Sequence, residues 1–163
     1  MEENNIHPEE SGLADELNQY FQYTQATQGQ RFLNWLIDNL LMRYGLSYLS
    51  GTVVGYGMAK LFPEYAMRVV YSDDRSDLIL IGLIIVIFNY LVYYSFCEKV
   101  FNGYTLGKLI TGTRAIRDDG KELTFKDAFL RTLSRLVPFE AFSGFGDRPW
   151  HDSWTGTSVV KAR

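Results

Sequence analysis

Between Leu78 and Cys97 the chain runs LILIGLIIVIFNYLVYYSFC, twenty residues without a charge. At 1.5 Å rise per residue, a helix of that length covers about 30 Å, the thickness of a bilayer's hydrocarbon core. A soluble fold could use such a segment only as a central helix buried on every side. A chain of 163 residues has little protein to wrap around one. Aromatic residues gather in its second half (Tyr90, Tyr93, Tyr94 and Phe96), as they do near membrane interfaces, while Asp77 and Glu98-Lys99 mark its ends. The segment reads as a transmembrane helix.

A second span is expected over residues 32–62. It is longer and more polar, with Asn34, Asp38, Asn39 and Arg43 in its interior. Ser47, Gly51, Gly55 and Ala59 follow at four-residue intervals, the small-xxx-small pattern that lets membrane helices approach closely. Self-association into a homo-oligomer is expected through this stripe, and a kink or break around Gly55–Gly57. Residues 63–77 then form the loop closing a helical hairpin. That loop carries Arg68 and Arg75, whereas the flank after the second helix carries Lys99, Lys108, Arg114, Arg117, Lys121, Lys126, Arg131 and Arg135. The basic excess places the flank in the cytoplasm, and two spans return the N-terminus to the same side.

Charge is unevenly spread. Residues 1–30 hold six acids and no Lys or Arg, although the net charge of the whole chain is only -3. Residues 1–25 are therefore expected to be an acidic, flexible extension ahead of a membrane domain over residues 26–163. The start lacks the basic and apolar regions of a secretory signal. A single cysteine, Cys97, rules out an internal disulfide, and His7 and His151 are too far apart to suggest a metal site. Gly103 and Gly107-Lys108 fall one residue short of a phosphate-binding loop, and no Ser or Thr follows the lysine. His151-Asp152 has no accompanying nucleophile. No catalytic residue, metal or cofactor is expected, and neither enzymatic activity nor nucleic-acid binding.

The C-terminal segment, residues 98–163, reads as a small cytoplasmic unit. Asp119-Gly120 signals a β-hairpin turn within RAIRDDGKEL. Thr124 and Asp127 resemble a capping box opening an amphipathic helix that Pro138 ends. Phe125, Phe129, Leu133 and Leu136 share one side of it, and Arg131 and Arg135 form a basic ridge expected to meet anionic lipid headgroups. The stretch PFEAFSGFG suits a re-entrant or interfacial turn, Trp150 and Trp154 an aromatic anchor. The terminal TSVV suits a strand pairing near Ala115-Ile116. The expected fold is an all-α membrane protein: a transmembrane helical hairpin of two spans, room for a third short or re-entrant segment, a small cytoplasmic β-hairpin and an amphipathic helix.

Arg31, Asn34 and Asp38 lie on one stripe of the first helix, because seven residues return to nearly the same face. Asp38, about 10 Å deeper than Arg31, needs a donor or a proton. Asn89 in the second helix can reach across the hairpin, and Asp152 can fold back onto Arg31. Together with Gly-x-Thr-Leu-Gly-Lys after the second helix, the basic helix and the terminal His-Asp, these residues resemble the RDD family of bacterial membrane proteins, named for an arginine and two aspartates. The resemblance covers residues 26–161 and assigns those roles to Arg31, Asp38 and Asp152, with Asn34, Asn89 and His151 as polar support. Family members often carry a longer apolar stretch before the His-Asp motif than this chain does. The resemblance implies a multi-pass protein of the bacterial inner membrane with both termini cytoplasmic. Transport is suggested for the family. Two roles are open: an oligomer carrying an ion or small solute past Asp38, or a structural or accessory subunit in which Arg31, Asp38 and Asp152 form a packing network.

Overall fold

The computed structural model describes residues 23–162 apart from Phe145 and Asp147. The acidic extension expected over residues 1–25 lies outside the described residues except for its last three. Of these, Gln25 bridges to Val160, and the Thr24 carbonyl accepts from the Lys161 amide at 2.8 Å.

Helix α1 (Gln28–Leu40) opens on a capping box in which Thr27 and Gln30 satisfy each other's backbone amides. It continues through a π-helical turn (Leu41–Leu46) into α2 (Ser47–Leu61). The irregularity therefore lies at residues 41–46, not around Gly55–Gly57 as expected. Glycine is a poor helix former in water, yet α2 runs unbroken through Gly51, Gly55 and Gly57, with Val53, Val54 and Tyr56 exposed beside them. The expected loop over residues 63–77 is corrected too. Pro63 takes the first position of a helix, α3 (Pro63–Tyr71), where a missing N–H has no cost, and only residues 72–75 remain as a link.

The apolar run lies within α4 (Ser76–Val100). Among the described residues it is the one helix long and apolar enough to cross a membrane. Only 22% of its most apolar window is buried, and Ile79, Leu83, Ile84 and Phe88 face outward. The core helix of a soluble protein would show the opposite pattern. Between α2, α3 and α4 opens an apolar cleft of about 360 Å³, lined by Ser47, Gly51, Gly55, Ala66, Gly82 and Ile85.

The remaining elements are α5 (Leu106–Thr111), β1 (Thr113–Arg117), α6 (Phe125–Arg135), α7 (Glu140–Ser143), α8 (Trp150–Ser153) and β2 (Thr157–Lys161). Asp119-Gly120 does make a turn, with Gly120 at φ 77° and the Arg117 amide bonded to the Lys121 carbonyl. No local hairpin follows, because Lys121 and Glu122 stay in solvent. Instead β1 pairs antiparallel with β2, Ala115 opposite Val159 and Ile116 opposite Ser158, which is where TSVV was expected. Ala26, Ala115, Leu123 and Val159 form the small apolar core beside this sheet.

Helix α6 starts at the Thr124–Asp127 capping box and packs along the end of α4, where Ser95 donates to Thr132. Its orientation reverses the expectation. Arg131 is fully buried and Arg135 nearly so, while Phe125, Phe129, Leu133 and Leu136 point outward. These two arginines are thus not the headgroup ridge; the carboxylate of Glu98 at the end of α4 draws them inward.

Candidate functional site

Four cations and two carboxylates interlock where α1, α4, α5, α6 and α8 converge. Arg31, in the second turn of α1, donates from Nη1 to Asp152 Oδ2 at 2.7 Å, and its other nitrogens reach Gln25 Oε1 and the Ala26 carbonyl. Asp152 Oδ1 accepts from Arg131 Nη1 at 2.5 Å, and Arg131 also meets the Thr157 hydroxyl. Through Nε, at 2.9 Å, Arg131 continues to Glu98 Oε2. Lys108 Nζ and Arg135 Nη2 both bond Glu98 Oε1, at 2.6 and 2.8 Å. Arg135 also stacks over the Tyr94 ring. The side chains of Glu98, Arg131 and Asp152 have no exposed surface.

Buried ions are tolerated only when paired and hydrogen-bonded. Burial works to raise the Asp152 carboxyl, but Arg131, His151 and Arg31 outweigh it and hold the group well below the usual carboxylate range. Burial pushes the Lys108 ammonium down to about 8, with Glu98 pulling the other way. His151 lies against Glu140 through Nδ1, with Nε2 3.6 Å from Asp152 Oδ1, and burial lowers its proton affinity. Every charge in the network thus has a partner of opposite sign.

Asp38 is 1% exposed and joins a separate set of neutral donors. Its Oδ1 accepts from the Tyr93 hydroxyl at 2.7 Å and the Gly107 amide at 2.8 Å, and its Oδ2 from the Thr105 hydroxyl at 2.7 Å. The carboxylate thus fastens the segment before α5 to the ends of α1 and α4. Two glycines around that contact, Gly103 before α5 and Gly107 in its first turn, have strict reasons to be glycine. A Cβ on Gly107 would lie 2.4 Å from the Asn34 carbonyl oxygen, and one on Gly103, at φ 91°, would lie 1.9 Å from that of Ala115.

The structure thus joins Arg31 directly to Asp152 but separates both from Asp38. Asn34 meets the hydroxyls of Thr111 and Thr113. Asn89 bonds Ser50 at 2.8 Å across to α2 and does not touch Asp38. In the small-residue stripe, Gly51 and Gly55 have no atom within 4 Å of where a Cβ would stand, so within the chain they border open space. Sequence reasoning missed Glu98, Tyr93, Thr105 and Lys108. Glu98 looked like a helix-end marker, and no local signal gives its burial, because the cations that meet it lie 10, 33 and 37 positions along the chain.

Apolar side chains outside and paired charges inside define a membrane protein. The RDD family model matches residues 25–159, and the chain belongs to the RDD family. No match was found among curated proteins or among solved structures.

Proposed function

We propose that this RDD protein is a structural or accessory membrane subunit, whose charge network locks a cytoplasmic module onto a two-span helical hairpin. The observation that carries this reading is the saturation of Asp38. Tyr93, Thr105 and Gly107 surround the carboxylate with donors and leave it sealed from solvent, which suits a fastening rather than a stop on a solute path. The continuous helix over residues 28–61 supplies the second span beside α4, and the Asn89–Ser50 bond supports the antiparallel hairpin. Both termini then lie in the cytoplasm of a bacterial inner membrane. The cleft beside Gly51, Gly55 and Gly82 supports packing of a second copy between α2 and α4.

The test is flux in vesicles reconstituted with the wild type and with Asp38→Asn. The proposed role predicts no protein-dependent ion or solute flux from either. A wild-type flux that Asp38→Asn abolishes, with assembly intact, would overturn it and assign transport by an oligomer.

A further inference from the structure

Arg43 lies in the π-helical turn, exposed, with no hydrogen bond or ion pair among the described residues. The flanking aromatic residues Trp35, Tyr44 and Tyr48 are exposed on the same segment, whereas Asn34, Asp38 and Met42 face inward. An unpaired guanidinium on the lateral surface of a membrane helix is costly unless an outside group neutralises it.

The depth of Arg43 and the charges available there narrow the choice of group. Met42 packs against Tyr93 and Tyr94 in the last two turns of α4, so its neighbour Arg43 lies at that level, about 5 Å inside the end of the apolar run at Cys97. Side chains on a helix lean toward its N-terminus, which here points back to the cytoplasmic surface. The arginine stem is long enough to return its charge to the headgroup level. A second copy of this chain offers no counter-charge at that depth. Asp38 is the sole carboxylate between Arg31 and Leu61, α4 has none between Asp77 and Glu98, and Asp38 is already saturated and buried. Exposed tyrosine and tryptophan around a snorkelling arginine are the side chains expected at the headgroup level.

We propose that Arg43, beside Tyr44 and with Trp35 on its cytoplasmic side, binds the phosphate of an anionic phospholipid in the cytoplasmic leaflet. The lipid contact expected of Arg131 and Arg135 is thereby moved to the opposite element of the fold. The proposal rests on the two-span reading above.

Full-length wild type, Arg43→Gln and Arg43→Lys are incorporated into nanodiscs of phosphatidylcholine mixed with phosphatidylglycerol. The lipid kept after detergent re-extraction is then measured by mass spectrometry. Wild type should retain phosphatidylglycerol about fivefold better than Arg43→Gln, the effect expected of one basic residue at an anionic surface. Arg43→Lys should keep most of that preference, with Tm unchanged in both variants. Equal retention by wild type and Arg43→Gln overturns the proposal, as does displacement of the lipid by inorganic phosphate alone. Impermeant labelling of Thr24→Cys and Ser72→Cys, which bracket residues 28–61, in sealed vesicles checks the hairpin separately. Labelling from opposite faces with equal lipid retention defeats the lipid site alone, and labelling from the same face defeats the hairpin and the site with it.

Discussion

Replacing Asp152 by asparagine would leave Arg31 without a counter-charge and Arg131 with Glu98 alone. Breaking one partner of a buried ion pair costs about 3–5 kcal/mol, so Asp152→Asn should lower the melting temperature of the solubilised protein and open residues 148–162 to protease. An unchanged digestion pattern would show that the tail is held by the sheet alone. Asp38→Asn is expected to be milder, about 1–3 kcal/mol, because the amide keeps an acceptor for Tyr93 or Thr105 but turns a donor toward the others. Gly107→Ala meets the Asn34 backbone rather than a movable side chain, and thermal denaturation should show a loss of at least about 1–3 kcal/mol. At this scale the sequence was informative about which groups must be paired, since a carboxylate in an apolar helix cannot stand alone once it is buried. It was silent about which donor answers, because Tyr93, Thr105 and Gly107 come together only through the packing of three elements.

Among elements, α6 teaches most. Its start was legible residue by residue, because a capping box is a contact over three positions. Thr124→Ala should accordingly cost about 1 kcal/mol, measurable as a shift in the denaturation midpoint. Its orientation was not legible. A pattern of apolar and basic stripes fixes that a helix has two faces, but which one turns inward depends on the surrounding solvent and on Glu98 waiting across the interface. The π turn at residues 41–46 likewise left no local signal, whereas the helix at Pro63 did, through a proline in the position that helices accept. The pairing of β1 with β2 over the nearer turn follows from apolarity: Val159 and Val160 bury on the sheet, and Lys121 and Glu122 do not.

For the molecule as a whole, acid should act in two stages. Burial keeps His151 below its ordinary value of 6.5, so the unfolded chain takes up a proton that the folded chain refuses, and stability falls as pH drops below that point. The lowered carboxyl of Asp152 contributes fully above its ordinary value of 3.8, and that contribution disappears as pH falls through its folded value. Melting temperature against pH should therefore decline below neutrality and again below about pH 4, with Asp152→Asn making the second decline shallower and the lowered carboxyl of Glu140 keeping part of it.

The Arg31–Asp152 bond spans 121 positions of chain, and β2, which closes the sheet, comes later still. During synthesis, α1, α4 and α6 are all made before the anion that neutralises Arg31 and Arg131. A nascent or prematurely terminated chain therefore carries a cationic cluster and an open strand edge at the membrane surface, both of which vanish on completion.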